Sequence, residues 1–143
     1  MPCRVRVTSL AQAQADGLRG PNQKRLEDAL RDIERRGCVA LDYRLTGSNL
    51  LERICVKHLR GQWRAVVVFT EPDVAVLLLI GEHVTDPGRN VYDALYGLIG
   101  HEPEPNSGRT KPPCCEDGQP PFVTDPEVDD LVARTCAILG CRR

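Results

Sequence analysis

Aromatic side chains are scarce in this sequence. Phe, Tyr and Trp make up 4% of its 143 residues, which excludes a core built on stacked rings and leaves the packing to Val, Leu, Ile and Ala. Lysine is scarcer still: Lys24, Lys57 and Lys111 stand alone, and arginine carries nearly all the positive charge. No stretch approaches the roughly 18 apolar residues of a membrane-spanning helix. The first residues, MPCRVRVTSL, lack the apolar run of a secretory signal. The expectation is a cytoplasmic protein with no membrane partner. Charge of one sign is not in excess either. Lys and Arg number 19 against 20 Asp and Glu, a net charge of −1. Residues 1–100 hold 14 against 12 and residues 101–143 hold 5 against 8, so a weakly basic body precedes an acidic tail. Nucleic-acid binding by bulk charge is thereby excluded, and any such binding rests on a local patch.

Cysteine, by contrast, is present in number, with seven residues. An odd count without a secretory signal points to reduced thiols rather than a disulfide framework. Cys3, Cys38 and Cys55 then read as small packing residues. Cys114, Cys115, Cys136 and Cys141 do not have the spacing of paired zinc knuckles. No metal and no cofactor is expected.

Cys3 to Thr8 alternates Arg with Val and predicts a short strand. A weak helical segment follows, with Ser9 as its expected N-cap, and Gly20-Pro21-Asn22 interrupts the chain. Leu26, Ala29, Leu30 and Ile33 then fall at helical spacing, with Arg35 and Arg36 in the last turn and Gly37 as a C-cap. Strand-like runs cover 51–59, 62–70 and 74–80, with breaks too short for a parallel crossover, which predicts an antiparallel meander. VAVLLLI, Val74 to Ile80, is apolar throughout and should be covered on both faces. A helix is expected from Arg89 to Ile99. Residues 101–124, dense in Pro, Gly and charge, read as an extended arm, and residues 125–143 as a helix starting at Asp125-Pro126. The fold class is α+β: a small antiparallel β-sheet packed against an N-terminal helical hairpin, with a C-terminal arm and helix.

The segment VKHLRGQWRAVVVF, Val56 to Phe69, is apolar yet carries Lys57, His58, Arg60 and Arg64. Arg60-Gly61 reads as a two-residue hairpin turn. Such a turn sets His58 opposite Trp63 and Lys57 opposite Arg64. Ile54, Val56, His58, Trp63, Ala65 and Val67 then share the core face, while Arg53, Cys55, Lys57, Arg64 and Val66 share the other. Two readings follow. The cations are solvated on an open sheet face, or the like-charge pair Lys57–Arg64, unfavourable by some tenths to 1 kcal/mol, is kept because it binds a phosphate.

The segment LTGSNLLERICVKHLRGQWRAVVVF, followed by VLLLIGEH and NVYDAL, resembles the RelE/ParE superfamily of toxins from type II toxin–antitoxin systems, over residues 3–100. The resemblance implies a RelE-like fold in residues 1–100. It implies an endoribonuclease that cuts mRNA at the ribosome without a metal, and a cognate antitoxin as partner. Its alternatives are a gyrase inhibitor of the ParE kind and an inactive member that only binds an antitoxin. By position it assigns Arg64, Lys57, His83 and Tyr92 as catalytic residues and Arg53, Arg60 and Arg89 as RNA-binding residues. In that scheme Arg64 and Lys57 stabilise the phosphate, His83 is the acid or base unless it only caps a turn with Asp86, and Tyr92 stacks or orients. The acidic arm would lie over the basic face as an internal mimic of RNA.

Overall fold

The computed structural model describes residues 3–45, 51–84, 90–99, 112–116, 118–121 and 126–137. Arg89, Asp86, Asp125 and Cys141, named above, lie outside them. The elements in chain order are β1 (Arg4–Val7), α1 (Ser9–Asp16), α2 (Gly20–Arg36), a 3-10 turn (Gly37–Ala40), β2 (Tyr43–Arg44), a second 3-10 turn (Leu51–Arg53), β3 (Ile54–His58), β4 (Trp63–Glu71), β5 (Val74–Glu82), α3 (Val91–Ile99) and α4 (Pro126–Ala137).

The first helical hairpin follows from local chemistry. Thr8, rather than Ser9, caps α1, its hydroxyl accepting from the Ala11 N–H at 3.1 Å. Gly20 and Pro21 begin α2 instead of breaking it, because proline fits the first turn of a helix where its missing N–H costs nothing. Gly37 ends α2 with φ +66°, a conformation costly for any residue with a Cβ.

The sheet has the order β1-β5-β4-β3-β2. The three long strands form the expected antiparallel meander. The sheet as a whole is mixed, not antiparallel, because β1 runs parallel to β5 with Arg4 beside Val74. The helical hairpin supplies the crossover that a parallel pair needs. At the other edge β2 adds two residues, Tyr43 and Arg44, opposite Val56 and Cys55.

Both faces of the sheet are covered. On one side Cys55, Ala65, Val67, Phe69 and Leu77 pack with Ala11, Leu26, Ala29 and Ile33 of the hairpin. On the other, Ile54, Val56, Val66, Val68 and Leu79 pack with Leu95 of α3 and Val128 and Leu131 of α4. Residues 74–80 are all buried, as the unbroken apolar run requires.

The register of the central hairpin differs by one residue from the sequence expectation. The loop holds three residues, not two. Leu59 N–H bonds the Trp63 carbonyl, Trp63 N–H bonds the Arg60 carbonyl, and Gly61 sits between at φ +61°. His58 therefore faces Arg64, and Lys57 faces Ala65. A one-residue slip changes which side chains share a face. Lys57 turns to the helical hairpin, while Arg64 and His58 turn to α3. Lys57 and Arg64 are both buried, so neither of the two readings offered for this segment holds as stated.

The cysteine expectation is also overturned. Cys38 is bonded to Cys115 and Cys55 to Cys114, across 77 and 59 residues. Cys3 is free and buried. The two bonds hold the described part of the arm at the outer edge of the sheet, where the Pro112 carbonyl accepts from the Arg44 N–H at 2.9 Å. Cys55 lies on Lys57's side of β3, so this stretch of arm does not cover Arg64 as an internal mimic would.

Candidate functional site

Arg64 occupies the centre of the sheet near its end, with His58 across from it on β3 and Gly81 on β5. Gly81 is what lets α3 approach. A Cβ there would stand 2.9 Å from the Val91 Cβ, a clash with the first residue of the helix. With glycine in place, α3 begins against β5. Asn90 caps it through Oδ1 to the Tyr92 N–H at 3.1 Å, and Tyr92 is set above the sheet.

The Tyr92 hydroxyl meets that of Tyr43 from the opposite edge at 2.6 Å. The Tyr43 ring stands edge-on to His58, centroids 5.3 Å apart, and the Tyr92 ring edge-on to His83 at 4.8 Å. His58, Tyr43, Tyr92 and His83 thus form a chain of rings on Arg64's side of the sheet. Arg64 is 9% exposed. One terminal nitrogen donates to the carbonyls of Gly61 at 3.1 Å and Trp63 at 3.0 Å. Its Nε is buried and has no hydrogen-bond partner among the described residues. A buried guanidinium N–H left open is costly, on the order of 1–3 kcal/mol, unless a water or an anion takes it.

Burial, aided by the hydrogen bond with Tyr43, pushes the Tyr92 phenol well above the usual tyrosine range, while Arg64 pulls the other way. Tyr92 therefore stays protonated near neutrality and serves as a hydrogen-bond donor or acceptor, not as a base. Tyr43 and Tyr92 are at least as buried as Arg64, whereas His83 is exposed and His58 half-buried. The solvent side of the cluster is therefore the His83 side.

Of the four residues expected to be catalytic, Tyr92 and His83 touch each other, and Arg64 acts electrostatically on Tyr92. Lys57 is elsewhere. Its ammonium donates to the Ala40 carbonyl at 2.6 Å and lies 3.4 Å from Asp32 Oδ2, on the helical-hairpin side. There it closes the 3-10 turn onto the sheet. Asp32 also pairs with Arg36 at 2.6 Å, and these contacts, Arg36 first, hold its carboxyl down at about 2. Of the three residues expected to bind RNA, Arg60 is exposed on the turn beside Arg64. Arg53 precedes β3 at the end remote from His58, about 16 Å along the strand. Arg89 lies outside the described residues.

His58 was expected on the core face, and Tyr43 carried no expectation at all. A two-residue strand shows no periodicity, so Tyr43 was invisible. His58 needed only the correct loop length, which a glycine at position 61 does not fix, because it suits a two-residue and a three-residue loop alike.

A groove of about 880 Å³ opens beside the end of β5, floored by Leu18, Trp63 and Ile80 and rimmed by Arg19, Glu82 and Asp93. Arg64, Tyr43, His58 and Tyr92 do not line it. Among the described residues no group of His, Cys, Asp and Glu is arranged to hold a metal, and no helix is long and apolar enough to cross a membrane. No family model matches the chain, and no curated protein or solved structure matches it either.

Proposed function

We propose that the Arg64 cluster binds a phosphate of RNA, and that the protein is a toxin of the RelE/ParE kind that cuts mRNA at the ribosome, with an antitoxin as its partner. The observation that carries this reading is the placement of His58 directly across from a buried, partly unsatisfied Arg64, on the face where Tyr92 meets His83. Cleavage of RNA through its 2′-OH needs a base, an acid and positive charge at the phosphate. Arg64 supplies the charge, His83 the accessible imidazole, and Tyr92 a protonated hydroxyl to orient an oxygen. Lys57 has no part, because Asp32 and Ala40 engage it on the other face. The order of elements, a strand, a helical hairpin, a meander returning beside that strand and then a helix, also supports the reading.

A second reading, a protein that binds without cutting, is favoured by a different observation. With Lys57 gone from the site, Arg64 is the one described cation beside Tyr92, and Arg64, Tyr43 and Tyr92 are all buried. Such a protein would inhibit gyrase or only hold an antitoxin. Induction in a bacterial host, with mRNA ends mapped, separates the readings. The nuclease predicts new ends that disappear in Arg64→Gln and His83→Gln. Growth arrest with damaged DNA and intact mRNA supports the binder. Harmless expression of the wild-type chain removes both the nuclease and the gyrase inhibitor.

A further inference from the structure

The four bonded cysteines are arranged unequally. Cys55 and Cys114 are 0% and 2% exposed and Cys38 is 4% exposed, whereas Cys115 is only partly buried. A reductant in solution therefore reaches the Cys38–Cys115 bond at Cys115 and has no route to Cys55–Cys114. Yet the two bonds share adjacent residues on the arm, Cys114 and Cys115. We infer that these cysteines form a thiol–disulfide relay. One molecule of a dithiol reductant, attacking at Cys115, opens both bonds and releases the arm.

The steps balance. A thiolate of the reductant attacks Cys115 Sγ, and Cys38 leaves as a thiolate. The second thiol of the reductant attacks the mixed disulfide, frees the Cys115 thiolate and departs as its own internal disulfide. The Cys115 thiolate then attacks the neighbouring Cys114 Sγ. The bond to Cys55 breaks, Cys55 leaves as a thiolate, and a Cys114–Cys115 disulfide forms. Cys38 and Cys55 take up the two protons that the reductant gave up. Two protein disulfides and one dithiol become one disulfide on the arm, two thiols on the body and one oxidised reductant.

Release also has a mechanical consequence. With both bonds open, the described arm keeps the Arg44 N–H to Pro112 contact as its backbone tie to the sheet. Arg44 follows Tyr43 on the two-residue edge strand, so the arm braces the strand that presents Tyr43 to Tyr92. The relay itself holds whatever that cluster binds.

The test uses the full chain and dithiothreitol at one molar equivalent without oxygen, quenched with an alkylating agent and read by peptide mass mapping. The expected result is alkylation of Cys38 and Cys55 together, with the peptide carrying Cys114 and Cys115 unlabelled and still internally bonded. Hydrogen exchange at Arg44 should rise in the same samples. Labelling of Cys38 and Cys115 with Cys55 protected overturns the relay, as does labelling of all four cysteines in the same molecules or no reaction. The double variant Cys38→Ser/Cys115→Ser keeps only the buried bond. Its reduction should be at least about tenfold slower than the opening of Cys55–Cys114 in the wild type, and an equal rate overturns the proposal independently.

Discussion

Lys57 and Arg64 are cations of similar burial on neighbouring strands, and they do opposite jobs. On the helical-hairpin face Lys57 has a carboxylate and a carbonyl to bond, and the arm is tied down close by. On the α3 face Arg64, among the described residues, bonds only the backbone of its own turn and leaves Nε open among rings. The first charge is used up by the fold, and the second is left for something else. What separates them is a single residue of loop length.

The comparison can be broken most strongly through the arm. Replacing Cys38 and Cys55 by Ala removes cross-links that close loops of 77 and 59 residues. Denaturant unfolding should show a loss of about 4 kcal/mol for the first bond removed, and less for the second because the loops overlap. Next comes the contrast between the two cations. Lys57→Met leaves Asp32 and the Ala40 carbonyl without their ammonium and should lower stability by about 1–3 kcal/mol, with the proposed RNA cleavage in the host unchanged. Arg64→Gln should abolish cleavage while changing the unfolding midpoint less. Equal effects of the two substitutions on cleavage would erase the distinction between the faces.

Smaller effects sharpen it. Tyr43→Phe removes the hydroxyl that meets Tyr92 and should cost about 1 kcal/mol. Because that hydrogen bond helps raise the Tyr92 phenol, spectrophotometric titration should find Tyr92 ionising at lower pH in this variant. The smallest effect is the acid limb. Asp32 is held at about 2 in the fold, below its usual 3.8. Between those values the unfolded chain binds the extra proton, so the contribution is present above about pH 4 and is lost as pH falls to about 2. Asp32→Asn should flatten that limb of the stability profile and leave the site untouched.

Much of the fold was legible. The apolar stripe of Leu26, Ala29 and Ile33, the Gly37 cap and the unbroken run from Val74 to Ile80 each have a local cause, and each appears as expected. The candidate site was legible in part. Arg64, His83 and Tyr92 were singled out by residue type and by resemblance, and they lie on one side of the sheet. Lys57 was misplaced because sheet faces depend on a count through the turn, and Arg60-Gly61 looks the same in a two-residue or a three-residue loop.

By itself, then, the sequence determined which segments become helices and strands, because periodicity, caps and turn residues act over a few positions. The tertiary structure decided which cation is consumed by the core, which ring meets which, and which thiols are bonded. Those outcomes hang on register and on contacts between residues tens of positions apart. Nothing in the local chain energetics of Cys38 refers to Cys115, and nothing in those of Tyr43 refers to Tyr92.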